Sequence, residues 1–362
     1  IDNPESGLDS IYNPKGSITF EYKFDMNDLK TVPGVVYDHG SNKYHLYFTD
    51  KNAKNGFILK NFFNYKKDKA QTVYLVNNNG KKYRISATKS KNATVADTKT
   101  DKAHKNINNI LYTTNKTGTT ITTSKKNDTV IMCDSPGEEY KEKEFNRKDK
   151  ITYTGGKDTY YSYIGNTTYI VNFNKNTNLS IVDYALGLKK IKYDEWGEPY
   201  YETLSPSQND EIKFSSSLDN LTFFFDMDKY GNVTQNTSLF ALYKTDTNFD
   251  TVKNNMVNIS SNDYEKDISG YTLMFDFFKQ NEEYGTENSF GNGQIEKIYT
   301  KENGKNVLYK NLDININSIK TAVLNWFNDN EGYNTVFEAL SSNELSENIN
   351  TLVECYTQSL KA

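Results

Sequence analysis

Residues 155–170, with the sequence GGKDTYYSYIGNTTYI, decide the fold because they contain a turn followed by a short strand twice in succession. The same unit occurs upstream, in residues 117–122 and 126–131, and the turns recur at a spacing of nine residues. A unit of this length cannot bury its own apolar side chain, so copies must stack. We therefore predict a parallel β-roll or solenoid with inward-facing ladders formed by Ile121, Val130, Tyr160 and Tyr169.

Two stretches, one before this region and one after it, contain the same strand-like runs and turns in the same order. Residues 17–83 and 211–309 each contain two strand-like runs, a run that ends in two Phe residues, a further strand and an Asn-Gly turn. Asn-Gly between β-branched and aromatic residues favours a hairpin because both residues tolerate positive φ. We predict a duplicated strand module, with insertions around 245–268 and 282–292 in the second copy. The alternative is the loose self-similarity of any β-rich chain.

The apolar period changes near the C-terminus. Apolar residues from Ile319 to Tyr356 recur every three to four positions, which predicts three short amphipathic helices. Gly332 separates the first two helices, and Ser341 with Glu344 forms a capping box that would open the third. We expect these helices to form a packed cap with four side chains facing inward: Trp326, Phe337, Leu352 and Val353.

The predicted fold class is mainly β, in four regions. A strand module at 1–90 is followed by the degenerate parallel β-roll at 91–190, a second strand module at 191–312 and a small α-helical cap at 313–362. Within the roll, residues 133–150 carry dense alternating charge, which predicts a solvated loop.

Composition excludes several classes of function. The 362 residues include 43 basic and 47 acidic side chains, and a net charge of −4 leaves no counterion-release drive for binding nucleic acid. A 14% aromatic fraction argues for a folded chain despite a mean hydropathy of −0.79. No apolar run approaches 18 residues, so we predict no transmembrane segment. The chain opens with Ile1 rather than Met, from which we expect a fragment or a processed product.

Cysteine and histidine usage gives no catalytic or zinc motif. Cys133 and Cys355 are too few for a disulfide framework, and whether they pair is left open. The three His residues fit no metal-ligand spacing, and there is no nucleophile elbow, P-loop or dinucleotide-binding glycine motif. We therefore predict that the chain is not an enzyme.

Two repeat units resemble a known family. Asp158 follows Gly155 and Gly156 and precedes Tyr160 by two positions, and Asp128 precedes Val130 in the same way. These units resemble the RTX (repeats-in-toxin) nonapeptide, Gly-Gly-x-Gly-x-Asp-x-apolar-x. The resemblance implies a parallel β-roll that binds calcium between turns, with Asp128, Asp158, Gly155 and Gly156 as metal-site residues. Oxygen ligands suit this ion.

The departures from that repeat matter. Thr119, Thr167 and Asn176 stand where the family has Asp, and most of the family's glycines are missing. Most calcium sites are therefore expected to be weak or lost. The alternative for Asp128 and Asp158 is that each carboxylate only bonds its own turn.

The C-terminal tail is similar to the C-terminal region of RTX proteins exported by type I secretion, including S-layer proteins. This implies a secreted or cell-surface protein, such as an S-layer subunit, adhesin or toxin, that the type I apparatus recognises through its C-terminus. The expected partner is extracellular or at the cell surface, or a further copy of the chain.

Two acidic turns leave other functions open. Residues 194–199 place acids beside Trp196, which is predicted to pack at the base of an exposed turn. Residues 226–232 faintly resemble a calcium loop but lack the terminal Glu of an EF-hand. The alternatives to a structural protein are a secreted hydrolase that uses paired carboxylates and a carbohydrate-binding module that uses exposed Tyr and Trp.

Overall fold

The structure is a computed structural model that describes 21 segments of the chain, which are residues 8–12, 17–21, 34–38, 43–49, 56–60, 72–76, 80, 82–88, 92–94, 108–113, 118–132, 147–162, 165–183, 188–204, 209–233, 239–243, 271–275, 295–309, 312–341, 351–352 and 354–356. The chain forms two compact units. The first comprises residues 1–151, 158–166 and 186–207, and the second comprises residues 152–157, 167–185 and 208–362.

Short β-strands make up most of the described chain. Up to residue 122 they are β1 (Leu8–Tyr12), β2 (Ser17–Glu21), β3 (Gly34–Asp38), β4 (Lys43–Thr49), β5 (Gly56–Lys60), β6 (Thr72–Val76), β7 (Lys82–Thr88), β8 (Asn92–Thr94), β9 (Asn108–Thr113) and β10 (Thr120–Thr122). They continue with β11 (Asp128–Met132), β12 (Lys148–Tyr153), β13 (Lys157–Ser162), β14 (Asn166–Val171), β15 (Asn178–Asp183), β16 (Leu188–Tyr193) and β17 (Pro199–Leu204).

The remaining elements are β18 (Glu211–Phe214), a 3-10 turn (Leu218–Asn220), β19 (Leu221–Phe224), β20 (Leu239–Tyr243), β21 (Tyr271–Phe275), β22 (Lys297–Glu302), β23 (Lys305–Tyr309), α1 (Leu312–Asp329) and α2 (Val336–Ser341). The protein is thus mainly β with a short helical C-terminal part, as predicted. The charged loop predicted at 133–150 extends too far toward the C-terminus, because strand β12 already begins at Lys148. Residues 133–146 of this predicted loop lie outside the described segments.

Parallel pairing dominates the first unit. Strands β9, β11 and β13 are parallel neighbours in one sheet, and β8 and β10 are parallel neighbours in another, with β12 next to β10. Strands that follow one another along the chain from β8 to β13 therefore alternate between two sheets. The register places Leu111, Val130 and Tyr160 in one row.

The core of each unit consists of side chains that alternate along these strands. Ile121, Val130, Tyr160 and Tyr169, the four residues predicted to face inward, are all 0% exposed, which confirms their predicted burial. In the first unit Ile121, Val130 and Tyr160 are joined by Phe57, Leu59, Ile85, Ile110, Leu111, Met132 and Ile151, whereas Tyr169 belongs to the second unit. In the second unit the core contains Val171, Leu179, Ile181, Ile212, Phe214, Phe223, Phe240, Met274 and Ile298.

The two stretches with a shared order of sequence features also share one strand topology. In the first unit β3, β4 and β5 form an antiparallel meander, β1 is parallel to β5, β2 is parallel to β6, and β6 forms a hairpin with β7. In the second unit β19, β20 and β21 form the meander, β15 is parallel to β21, β18 is parallel to β22, and β22 forms a hairpin with β23. This agreement supports the duplication inferred from the sequence.

Both Asn-Gly turns connect antiparallel strands, as predicted. Asn303 and Gly304 have φ of 48° and 78° between β22 and β23, and Gly80 has φ of 70° between β6 and β7. The insertions predicted at 245–268 and 282–292 lie outside the described residues.

The C-terminal helices pack within the second unit. Trp326 and Leu352 are buried, as predicted, and the Trp326 ring stacks on Tyr333 with centroids 5.8 Å apart. Tyr356 donates a hydrogen bond from its hydroxyl to the carbonyl of Phe225 at 2.6 Å. The side chains of Phe337 and Val353, and residue Glu344 of the predicted capping box, lie outside the described residues.

Helix α1 begins seven residues before the start that the apolar period indicates, at Leu312 rather than Ile319. Leu312, Ile314 and Ile316 alternate with polar residues, which is a strand-like pattern. Helix formation is cooperative, so the packed turns that follow extend the helix through these residues.

Candidate functional site

Asp128 and Asp158, the two predicted calcium ligands, lie at the start of the neighbouring strands β11 and β13. Each residue is only 1% exposed. The backbone N–H of Asp128 donates to Asp158 Oδ1 at 2.8 Å, and the backbone N–H of Asn109 donates to Asp128 Oδ1 at 3.1 Å. Each carboxylate therefore binds the main chain of the strand that precedes it in the sheet.

The other oxygen of each carboxylate also accepts hydrogen bonds from the protein. Asp128 Oδ2 accepts from the backbone N–H and the hydroxyl of Ser124, both at 2.6 Å. Asp158 Oδ2 accepts from the hydroxyl of Tyr160 at 2.8 Å, and that hydroxyl lies 3.2 Å from Thr123 Oγ1. All four oxygens of the pair are thus engaged by N–H or O–H donors.

Burial governs the protonation of this pair. It raises the pKa of Asp128, against the hydrogen bonds from Ser124 and Asn109 that lower it. Burial raises the pKa of Asp158 well above its ordinary value, and the negative charge of Asp128 raises it further. Removing a carboxylate from water disfavours its charged form, which is the cause of both shifts.

The same arrangement recurs at other strand starts, and we call these residues the carboxylate ladder: Asp128, Asp149, Asp158, Asp210 and Glu296. In the first unit Asp149 Oδ1 accepts from the backbone N–H of Thr119 at 2.6 Å. In the second unit Asp210 Oδ1 accepts from the backbone N–H of Thr167 at 2.5 Å, and Glu296 Oε2 accepts from the backbone N–H of Asp210 at 2.6 Å.

Asp149, Asp210 and Glu296 were not among the predicted site residues. Each of them stands two positions before a buried Ile, the same spacing that separates Asp128 from Val130. Because side chains alternate along a strand, this spacing puts the acid and the apolar residue on one face. A search for acid-x-apolar triplets alone, without the glycines, would have found them. Asp149 also forms a buried ion pair with Arg147.

The two predicted glycine ligands lie in the turn between β12 and β13. Gly155 and Gly156 have φ of 144° and 91°, a region that favours glycine. The carbonyl of Gly156 accepts a hydrogen bond from the hydroxyl of Tyr153 at 2.8 Å. The structure therefore joins Asp128 to Asp158 directly and gives the glycines a separate role in turn formation.

Calcium requires six to eight oxygen ligands. An ion at Asp128 and Asp158 would have to replace the donors that their four oxygens now bind. Within the described segments, no group of three or more His, Cys, Asp or Glu side chains is placed to hold a metal. Calcium at these residues stays a prediction, and it requires these hydrogen bonds to rearrange.

Trp196 contradicts its predicted packing. It is 82% exposed at the tip of the β16–β17 hairpin, although the turn itself is acidic and exposed as predicted. Among the described strands, β16 and β17 form a two-stranded sheet of their own. Cys355 has a free thiol, and Cys133 lies outside the described residues.

Comparisons with protein-family models, with curated proteins and with solved structures find no match to this chain. None of the helices that the structure describes is long and apolar enough to cross a bilayer.

Proposed function

We propose that the chain is a non-catalytic structural and binding region of a secreted, RTX-like exoprotein, in which strands β8 to β13 coil as a degenerate β-roll. The observation that carries this proposal is the alternation of these strands between two sheets with parallel pairing. When a chain alternates between two parallel sheets, each pair of consecutive strands completes one turn of the coil, and we call such a pair of strands a rung. A spacing of nine residues between turns gives each turn and its strand the length that such coiling needs.

In this proposal the side chains of the carboxylate ladder form hydrogen bonds that connect each rung to the next. Each ladder side chain accepts a main-chain N–H from the neighbouring strand, as Asp158 does from Asp128. A typical hydrogen bond within a protein contributes about 0.5–1.5 kcal/mol, and leaving a buried donor without its acceptor costs about 1–3 kcal/mol. The hydrogen bonds of the ladder would stabilise contacts between rungs at positions where the RTX nonapeptide uses calcium.

The paired carboxylates argue against the hydrolase alternative at this position. Asp128 and Asp158 are each 1% exposed, so a substrate cannot reach them. Glycoside hydrolysis needs two carboxyl groups on either side of a bound sugar. The pair that the sequence pattern singled out is thus better suited to a structural role.

The proposed location is outside the cell or on its surface, with export through a type I apparatus that recognises residues 313–362. Support comes from the similarity of the tail to RTX C-terminal regions and from the helices that those residues contain. Recognition of the signal would precede folding, so packing of α1 into a cap is compatible with both roles.

An export assay tests the proposal. The full chain is expressed in a bacterial host together with a type I secretion apparatus, and the protein in the medium is measured. We expect export of the full chain and of Trp326→Ala, which disturbs the folded cap but keeps the segment. A chain truncated after Asn317 should stay inside the cell. No export of the full chain, or equal export of the truncated chain, would reject the proposal.

A further inference from the structure

Two turns, one in each unit, have the same hydrogen-bond geometry. In the first, residues 194–198 connect β16 to β17, and Asp194 Oδ1 accepts from the backbone N–H of Trp196 at 2.9 Å and of Glu198 at 2.8 Å. The backbone N–H of Asp194 donates to the carbonyl of Glu198 at 3.0 Å, and that of Gly197 donates to the carbonyl of Asp194 at 3.0 Å.

The second turn, residues 228–232, repeats all four bonds. Asp228 Oδ1 accepts from the backbone N–H of Tyr230 at 2.9 Å and of Asn232 at 2.8 Å. The backbone N–H of Asp228 donates to the carbonyl of Asn232 at 2.8 Å, and that of Gly231 donates to the carbonyl of Asp228 at 3.0 Å. We call residues 194–198 and 228–232 the aromatic turns, since both have the sequence Asp-x-aromatic-Gly-x.

The turn geometry explains the Asp and the Gly but not the aromatic residue. Asp supplies the acceptor for two N–H groups, and Gly197 and Gly231 have φ of 80° and 87°, which favours glycine. The third position needs no particular side chain. It nevertheless carries Trp196, 82% exposed, and Tyr230, 75% exposed. Both rings are accessible on turns with a defined backbone geometry, so a ligand that stacks on them would remove apolar surface from water.

We propose that each aromatic turn is a carbohydrate-binding site, in which the exposed ring stacks on the apolar C–H face of one pyranose unit. Neighbouring polar side chains would bond the sugar hydroxyls: Glu195 and Glu198 around Trp196, and Asn232 beside Tyr230. All three of these side chains are exposed. Lys229 Nζ lies over the Tyr230 ring, 5.5 Å from its centroid, so the sugar is expected on the opposite face.

The surroundings of the rings favour a sugar over other ligands. Asp194, Glu195 and Glu198 would repel an anionic membrane surface and would be costly to bury in an interface. Nucleic acid also stacks on aromatic rings but needs a basic groove, whereas the chain has a net charge of −4. A single ring with polar neighbours matches the small apolar face of one sugar. A polysaccharide repeats that face, so weak single-ring sites gain avidity on it.

The inference goes beyond the proposed function and does not depend on how the chain is exported. Only the folded chain is needed to test it. The protein has two Trp residues, of which Trp196 is 82% exposed and Trp326 is 4% exposed. Acrylamide quenching of tryptophan fluorescence therefore reports mainly on Trp196.

The probes are cellohexaose, chitohexaose, laminarihexaose and mannohexaose at millimolar concentration, added to the full chain. We expect at least one of them to lower the quenching of Trp196 at least twofold and saturably, and Trp196→Ala to remove this signal. Co-sedimentation with the corresponding insoluble polysaccharide measures binding through both aromatic turns. Trp196→Ala and Tyr230→Ala combined should weaken retention at least tenfold.

Leu308→Ala is the matched control, because Leu308 is an exposed apolar residue on β23 that lies outside both turns. It should bind as the unchanged chain does, and thermal melts should show that every variant is folded. The proposal is overturned if none of the four sugars protects Trp196, or if the double variant is retained as well as the unchanged chain. Protection of Trp196 by phosphatidylcholine and phosphatidylglycerol vesicles, but not by sugars, would overturn it in favour of a membrane contact.

Discussion

The backbone N–H of Asp128 donates a hydrogen bond of 2.8 Å to the carboxylate of Asp158, which lies thirty residues later in the chain. The bond links the starts of two parallel strands, β11 and β13. Both residues are almost fully removed from water. Buried acids in this chain thus hold neighbouring strands together, and their substitution has measurable consequences for stability.

Asp158→Ala should destabilise the protein by about 2–4 kcal/mol, because the N–H of Asp128 and the hydroxyl of Tyr160 lose their acceptor. Asp158→Asn should cost clearly less, since its amide oxygen still accepts from Asp128. Urea unfolding of both variants measures the difference, and Asp219→Ala serves as an exposed control. Equal losses for the Ala and Asn variants would contradict this role of the carboxylate.

Stability should fall as the pH rises from about 4 to about 7. Burial raises the pKa of Asp158 well above its ordinary value, and it raises the pKa of Asp183 to about 7, where the charge of Glu296 adds to the effect. Unfolded carboxyl groups ionise near pH 4, so the folded state binds more protons across this interval. The stabilisation is full below pH 4 and is lost as the pH rises through the folded pKa.

The expected slope from each such group is about 1.4 kcal/mol per pH unit within its interval. Urea unfolding at pH 5, 6, 7 and 8 measures it. Asp183→Asn should flatten the curve most between pH 5 and 7, since its pKa is about 7. A free energy of unfolding that increases from pH 5 to pH 8 would show that these acids are ionised in the folded state.

Gly118→Ala should destabilise the protein by more than about 3 kcal/mol or prevent folding. Gly118 has φ of 102°, and a Cβ there would lie 2.0 Å from the carbonyl oxygen of Lys148, which is backbone and cannot swing away. Gly304→Ala is the matched control. Its φ is 78° and no atom lies within 4 Å, so it should cost only the conformational term of about 1 kcal/mol. Thermal melts of the two variants should differ accordingly, and equal melts would place Lys148 farther from Gly118.

Truncation of the two tryptophans to Ala should change the free energy of unfolding by very different amounts. Trp326→Ala should cost about 3–5 kcal/mol, because the buried ring packs against Phe327 and Tyr333. Trp196→Ala should change the free energy of unfolding by less than about 0.5 kcal/mol, since Trp196 is exposed. Urea unfolding of both variants tests this pair. A small loss for Trp326→Ala would reject the packed cap.

Calcium should raise the melting temperature only slightly, if the predicted sites bind it. An ion that binds only the folded state at a hundredfold excess over its Kd stabilises by about 2.7 kcal/mol. We expect less, because the oxygens of Asp128 and Asp158 already accept hydrogen bonds from the protein. Melts in millimolar calcium, with magnesium as the control ion, provide the test. An unchanged melt would leave Asp128 and Asp158 with a structural role alone.

Local sequence was sufficient where a property depends on neighbouring residues. The nine-residue repeat of turn and strand identified Val130 and Tyr160 as inward-facing, and Asn-Gly identified the turn at Asn303. The order of strand-like runs in residues 17–83 could also be compared with the order in residues 211–309 from the sequence alone. These signals are set by backbone geometry within a few residues, so they survive in a single sequence.

The partners of these residues were decided by the tertiary structure. No local pattern shows that Asp158 meets the N–H of Asp128, that Gly118 lies against Lys148, or that Trp196 remains in water. Such contacts depend on the register between strands that are far apart in sequence and on what packs beside each turn. By itself the sequence therefore determined many of the strands, the Asn-Gly turns and the inward faces of the repeats, while packing between distant strands determined which groups each buried acid binds and which rings stay exposed.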